Sequence, residues 1–215
     1  APTATTTATS AGAPTDNAPA DGLPVWPFVA GVTVALALLL AVTASYALAR
    51  VRFRGRGLLL MTILAVSMFP QIAIVGPLYL LAADYGFLDT YSGLVITYVA
   101  LGVPLVTWVM FGYFDTIPRE LDEAARMDGC SAFGIFWRII LPISVPSLVT
   151  TGLLAFIAAW NEFLFALTFV ANNDTRTVPV AIALLSGASA QEIPWGIIMA
   201  ASVVVTVPLI VLVLI

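Results

Sequence analysis

Residues 118–142 read PRELDEAARMDGCSAFGIFWRIILP, a polar segment set between hydrophobic blocks. The segment holds three of the chain's 8 cationic residues and four of its 12 acidic residues. Pro118 suits the first position of a helix, where its missing N–H costs nothing, and Gly129 suits the left-handed residue after a helix end. We therefore expect a loop over 115–142 that contains two short helices around a turn, the second over about 131–141.

The composition around this segment indicates a membrane protein. Of the 215 residues, 61% are hydrophobic and only 9% are charged, whereas a soluble domain carries about 25% charged residues. Lipid-exposed backbone must satisfy its own hydrogen bonds, and a span of about 20 apolar residues does so as a helix. The predicted fold class is an all-α polytopic transmembrane helix bundle.

The rare residue types exclude several kinds of function. The chain has no histidine and a single cysteine, Cys130, so an internal disulfide and the usual zinc, haem and Ser-His sites lack their residues. A phosphate-binding G-x-x-x-x-G-K-[ST] loop is also missing from the sequence, as is a basic stripe for nucleic acid. We predict no catalytic residue, no metal site and no cofactor bound by this chain.

Hydrophobic segments suitable for spanning a bilayer occur five times, at 25–49, 58–81, 91–114, 143–170 and 195–215. Together they predict one transmembrane domain over 25–215. The segment before it, 1–24, is small, polar and rich in proline, and such a composition buries too little surface to order itself. We expect it to be disordered or external.

Prolines and glycines interrupt two of the predicted spans. Pro70 and Pro77 fall in the second span, and Gly102 and Pro104 are expected to break the third. The apolar stretch VPVAIALL after the fourth span predicts either a re-entrant segment or a short surface helix.

The arginines set the predicted topology. Four of them occupy Arg50–Arg56, and short loops rich in arginine stay in the cytoplasm. Alternation of the spans then places 115–142 in the cytoplasm, and the N-terminus and the loop 171–194 outside.

The first helix of the polar segment has the character of a docking element. Leu121, Ala124 and Ala125 form a surface of small side chains flanked by charges, and Asp122 and Arg126 are spaced for an i,i+4 ion pair. Such a helix fits a groove on a partner protein. The alternative is an amphipathic helix on the membrane surface, although the bulky apolar face and the lysines of an interfacial anchor are missing.

The spacing E-A-A-x3-G-x9-I-x-L-P, from Glu123 to Pro142, resembles the signature of the membrane subunits of bacterial ABC importers. Met68–Pro70 and Trp160–Phe163 are similar to the sugar-uptake branch, in particular to the second membrane subunit of the maltose-type importers. Members of that family usually have six spans, so the resemblance implies one more span in the complete protein than the five visible here.

The resemblance implies a multi-pass protein of the bacterial plasma (inner) membrane that forms half of a sugar pathway. Its expected partners are a second membrane subunit, an ATP-binding cassette ATPase dimer that holds ATP and Mg²⁺, an external sugar-binding protein and membrane lipid. The resemblance implies that the polar segment contains a coupling helix that docks on the ATPase. The residues that it assigns to this docking are Glu123, Ala124, Ala125, Arg126, Asp128 and Gly129.

Polar residues elsewhere are candidates for the substrate pathway and for the binding protein. Trp160, Asn161, Glu162 and Gln71 suit a polar pathway wall, and the alternative for them is a structural contact between helices. The external residues Asn172, Asn173, Asp174 and Thr175 are expected to contact the binding protein.

The alternative function is that of an ion-coupled secondary transporter. Such a protein is expected to carry several intramembrane carboxylates and an internal repeat. Glu162 is the one carboxylate that the predicted spans contain away from their ends, and no repeat is visible.

Overall fold

The computed structural model describes residues 26–172, 175–185 and 194–214, and all regular structure in these ranges is helical. The all-α prediction is therefore confirmed. The predictions for segment 1–24 lie outside the described residues.

Within the described residues, three helices are long and apolar enough to cross a membrane alone: α1 (Trp26–Arg50), α4 (Tyr91–Thr116) and α11 (Trp195–Leu214). The predicted break at Gly102 and Pro104 is wrong, because α4 runs through both. α4 packs along α1, and such neighbouring helices let a span tolerate the backbone hydrogen bond that an internal proline removes.

The second predicted span consists of two helices, α2 (Arg56–Ser67) and α3 (Gln71–Asp84), at an angle of 89°. Pro70 is the extended residue that precedes α3, in agreement with the interruption expected there. Pro77 lies inside α3 without breaking it.

Helix α5 (Glu120–Met127) forms the first part of the polar segment. The second part is helical as expected, but it is composite: α6 (Ala132–Ile135) continues into a π-helical turn (Phe136–Ile140) and then α7 (Leu141–Ile143). A π-helical turn has no simple sequence pattern and often occurs near functional sites.

The predicted span 143–170 does not form a single helix. Helix α8 (Val145–Trp160) lies at 74° to the preceding helical stretch and ends well before residue 170, and a separate helix α9 (Leu164–Phe169) follows. The number of membrane crossings reaches five in the described ranges if each bent helix pair counts as one.

The apolar stretch after the fourth span forms a short helix, α10 (Val178–Ala183). Val178 and Val180 are buried in it, so this helix packs against the bundle and is not a free surface helix.

In the described part of the chain, two clusters of buried side chains stabilise the bundle, one at each end. The cluster that includes Met110, Phe114 and Ile135 lies where α1 and α4 finish, and we call this the arginine end because Arg50–Arg56 adjoin it. The cluster that includes Trp26 and Phe165 lies at the opposite end. Helices α2 and α11 bury no residue completely, so they offer their surfaces to lipid or to a partner.

Candidate functional site

Helix α5 begins at Glu120, two residues later than Pro118 predicts, and its preceding residue Arg119 is already helical in conformation. The first turn contains Glu120, Asp122 and Glu123, and the last turn contains Arg126. Acidic residues near a helix N-terminus and basic residues near its C-terminus are favourable with the helix dipole. The charges thus stabilise a short helix that has only eight residues.

Gly129 ends α5 in the conformation that the sequence predicts, with φ of 81°. Its N–H donates to the carbonyl of Arg126 at 3.0 Å, and the N–H of Cys130 donates to the carbonyl of Ala125 at 3.0 Å. This pair of bonds is a Schellman motif, which satisfies carbonyls that a helix end leaves open. It fixes the angle between α5 and α6.

The residues predicted to dock an ATPase divide between two faces of α5 and its cap. Ala125 is only 4% exposed and packs into the arginine-end cluster. The structure therefore places it against the chain's own core, and its small size lets α5 lie close to the bundle. The other predicted residues face outward: Glu123, Ala124, Arg126, Asp128 and Gly129 are exposed.

An ion pair ties α5 to the end of α1. A carboxylate oxygen of Asp122 lies 2.7 Å from Nε of Arg50, and each side chain is 10% exposed. The Nε–H is not aligned for a hydrogen bond, so the contact is one of charge. The predicted pairing of Asp122 with Arg126 is wrong, because the helix face that carries Asp122 is turned toward the bundle.

Further contacts strengthen this connection. Nη1 of Arg50 donates to the carbonyl of Ile117 at 3.1 Å, and Nη2 of Arg119 donates to the carbonyl of Ala49 at 3.0 Å. The C-terminal residues of α1 and the chain on both sides of Pro118 are therefore held together. Sequence reasoning missed this junction, although an acidic helix and an arginine cluster on one predicted side of the membrane were its signal.

A second connection joins α2 to α4 at the same end. Nη2 of Arg56 lies 3.0 Å from a carboxylate oxygen of Asp115, and its guanidinium lies 5.1 Å from the ring centre of Phe111. The loop Arg50–Arg56 and the loop 115–142 thus lie at one end of the bundle, as the predicted topology requires.

The opposite end is joined by Asp89. Its carboxylate accepts hydrogen bonds from the N–H of Ala171 at 2.6 Å and of Asn172 at 2.9 Å, and its own N–H donates to the carbonyl of Phe169 at 2.9 Å. These bonds fix the start of the loop predicted to contact a binding protein. Thr175 donates to the carbonyl of Asn172 at 3.5 Å, whereas the predicted contact residues Asn173 and Asp174 lie outside the described residues.

The predicted pathway residues are not all brought together. Trp160 is 5% exposed and stacks on Phe156 with 5.4 Å between ring centres, so it belongs to the core and offers no aromatic face. Asn161 is exposed, and its side-chain amide donates to the carbonyl of Ile157 at 2.8 Å. That bond caps the end of α8.

Glu162 lies in the break between α8 and α9, not within a continuous span. Its two carboxylate oxygens accept hydrogen bonds from the N–H groups of Phe165 at 2.8 Å and Ala166 at 3.1 Å. The free N–H groups that begin α9 need such acceptors. The carboxylate thereby stabilises a helix start inside the hydrophobic segment, which hydrophobicity alone does not predict.

Glu162 and Gln71 share a cavity of about 330 Å³ inside the bundle. Its walls come from α1, α2, α3, α4, α8 and the break after α8. The residues that line it are Thr33, Val34, Ala37, Ser67, Gln71, Tyr98, Leu101, Gly102, Leu105, Val106, Val109, Thr151, Leu154, Ala155, Ala158, Ala159 and Glu162. The structure thus groups two of the predicted pathway residues and leaves Trp160 and Asn161 outside the group.

Long apolar helices, a polar helix held against one end and a cavity between broken spans define a polytopic membrane protein built like a transporter permease. The structure is similar to a solved bacterial ABC transporter involved in the import of the acidic polysaccharide alginate. The TM-score is 0.74 at 25% sequence identity, and the match covers 88% of this chain and 71% of that chain.

The chain belongs to the family of binding-protein-dependent transport system inner membrane components, whose model matches residues 33–215. It is 49% identical over 160 residues to the trehalose/maltose transport system permease protein MalG of Thermococcus litoralis, covering 74% of this chain and 57% of that protein. It is also 41% identical over 184 residues to the trehalose transport system permease protein SugB of Mycobacterium tuberculosis, covering 86% and 67%. The chain thus spans little more than half the length of the first relative.

Proposed function

We propose that this chain is the permease subunit of an ATP-driven, binding-protein-dependent importer for a sugar or oligosaccharide, in the plasma (inner) membrane of a bacterium. The proposal is supported by membership of a binding-protein-dependent transport family. It is also supported by relatives whose names specify trehalose and maltose transport. In this role the chain forms half of the pathway, and the other half comes from a second membrane subunit.

The observation that carries the proposal is the way α5 is presented. One face of α5 is anchored through Ala125 and the Arg50–Asp122 pair, and the remaining surface of the helix exposes Glu123, Ala124 and Arg126. Because α5 is fixed to the bundle on one side and exposed on the other, a partner that binds and displaces α5 also displaces α1 and α4. We propose that this partner is the ATPase dimer. The dimer binds ATP and Mg²⁺, and this chain does not.

The remaining partners are assigned to other surfaces. The exposed apolar sides of α2 and α11 suit the second membrane subunit and lipid. The start of the loop at Asn172 and Thr175, which Asp89 orders, suits contact with the external sugar-binding protein. An ion-coupled secondary transporter is the poorer alternative, because the family is binding-protein-dependent.

Uptake by reconstituted vesicles tests the proposal. The complete importer, with its membrane partner, ATPase and binding protein, is expected to accumulate radiolabelled trehalose or maltose only when ATP is hydrolysed. Replacing ATP by a non-hydrolysable analogue should abolish uptake, and an imposed sodium or proton gradient should not restore it. Accumulation driven by such a gradient in the absence of ATP would instead establish the ion-coupled alternative.

A further inference from the structure

The cavity shared by Gln71 and Glu162 lies at mid-depth of the bundle. Its wall in α1 is formed by Thr33–Ala37, close to the middle of Trp26–Arg50. Its wall in α4 is formed by Leu101–Val109, around the middle of Tyr91–Thr116. A solute that crosses between the two ends of the bundle passes this level.

Two helix breaks meet at this cavity. Ser67 and Gln71 flank the break between α2 and α3, and Ala159 and Glu162 flank the break between α8 and α9. Irregular backbone at membrane depth is tolerated where protein buries it or where it lines a polar cavity. Transporters build solute sites from discontinuous helices at this depth. Two breaks far apart in sequence therefore meet at one place, which indicates a site.

The polar groups of the cavity suit a hydroxylated solute. Each carboxylate oxygen of Glu162 accepts one backbone N–H, and an ionised carboxylate has about four acceptor positions, so each oxygen retains capacity for a further donor. Gln71 is exposed and adds an amide that both donates and accepts. The lining residues include no cation, so an anionic solute has no counter-charge there.

Tyr98 adds a buried polar group at the same place. The residue lines the cavity and is 5% exposed. Its hydroxyl lies beside the Glu162 carboxylate but has no hydrogen-bond partner of good geometry in the described part of the chain. An unsatisfied buried hydroxyl is costly, so the Tyr98 hydroxyl is available to a polar group of a bound solute.

Size and wall chemistry agree with one sugar ring. A volume of about 330 Å³ lies at the lower end of the roughly 300–1,000 Å³ range of small-molecule sites. Leu101, Leu105 and Val106 supply aliphatic surface that matches the C–H faces of a ring, while the carboxylate and amide meet its hydroxyls. The cavity is too small for a long polysaccharide.

We propose that this cavity binds one ring of a neutral polyhydroxylated solute during its passage, with Glu162 accepting hydrogen bonds from ring hydroxyls and Gln71 completing the contact. The inference rests on the proposed function and deepens it, because it locates a solute subsite within this one subunit. A bound metal cation, or water alone, is a different outcome that the test distinguishes.

Cysteine protection tests the subsite in the complete importer. Cys130 is first replaced by serine, and Ala158→Cys then places a thiol on the cavity wall, with Leu154→Cys as a second position if the first variant does not assemble. The control is Asp84→Cys, which is exposed at the end of α3 away from the cavity. Labelling by a small water-soluble thiol reagent is followed with and without trehalose or maltose, whichever the unmodified importer takes up.

The expected result is at least about fivefold slower labelling of the cavity cysteine in the presence of the sugar, and unchanged labelling of Asp84→Cys. Adding Gln71→Leu should raise the sugar concentration for half-protection about fivefold, as expected for one lost hydrogen bond. Equal labelling with and without sugar in an importer that transports it overturns the subsite alone. Protection by sodium chloride without sugar overturns it in favour of a cation site. If the unmodified importer takes up no sugar, the proposed function fails, and the subsite with it.

Discussion

The contact between Arg50 and Asp122 is the residue-scale feature on which the position of α5 depends. Both side chains are almost enclosed, and the guanidinium also binds the carbonyl of Ile117. Removing one member of a buried ion pair leaves the other charge without compensation, which costs far more than the pair contributes as a whole. The pair is therefore a specific constraint on where α5 lies.

Arg50→Gln and Asp122→Asn should each destabilise the protein by about 3 kcal/mol, because each leaves one uncompensated charge against the arginine-end cluster. The double substitution should cost less than the sum of the two single ones. Thermal unfolding of the protein in nanodiscs measures both quantities. Arg52→Gln is the matched control, since Arg52 is exposed. Single variants no less stable than this control would contradict the assigned role.

Gly129 is a second residue that determines the position of α5, because it ends this helix in a Schellman motif. With φ of 81°, Gly129→Ala should cost about 1–2 kcal/mol, because a side chain is strained in the left-handed conformation. Hydrogen exchange of the amides of α5 should accelerate accordingly. The control is Gly57→Ala, where a methyl group meets open space in a helix with ordinary φ. Equal exchange in both variants would show that the Schellman motif does not hold α5.

At the scale of elements, junctions between helices decide how the bundle is organised. α1, α4 and α5 are joined at the arginine end by Arg50 and Arg119. At the opposite end, Asp89 joins the turn between α3 and α4 to the residues after α9. A displacement of α5 therefore reaches α1 and α4 directly, whereas α11 has few contacts through which to receive it.

Asp89→Ala should release the start of the loop after α9. The carboxylate accepts two backbone N–H groups but is exposed to solvent, so we expect a loss of about 1 kcal/mol. Hydrogen exchange at Ala171 and Asn172 should become roughly fivefold faster. Asp84→Ala, another exposed carboxylate near the same end, is the control. Unchanged exchange at both amides would mean that other contacts order this loop.

The sequence predicts features that depend on neighbouring residues, but it does not predict features that depend on contacts between residues far apart in the chain. Gly129 was predictable because a helix end requires a left-handed residue within a few positions. The break at Glu162 was not, because its cause is a carboxylate that satisfies a helix start inside a hydrophobic segment. The true partner of Asp122 was missed because Arg50 is far away in sequence. Gln71 and Glu162 were both suspected as polar residues in spans, yet only the fold brings them to one cavity.

At the scale of the whole molecule, the bundle has three distinct regions. One end carries α5 on an anchored surface, the middle contains the cavity between broken spans, and the opposite end begins a loop fixed by Asp89. Family membership over residues 33–215 agrees with this arrangement. The central claim is that the exposed face of α5 receives the ATPase.

Co-purification of the ATPase subunit with Glu123→Lys tests this claim most directly. Glu123 is exposed on α5, so reversing its charge should leave the fold intact and alter only the surface offered to a partner. We expect at least a tenfold loss of captured ATPase and a matching loss of ATP-driven sugar uptake. Asp84→Lys, a charge reversal at the opposite end, should retain both. Normal ATPase capture and uptake by Glu123→Lys would contradict the account.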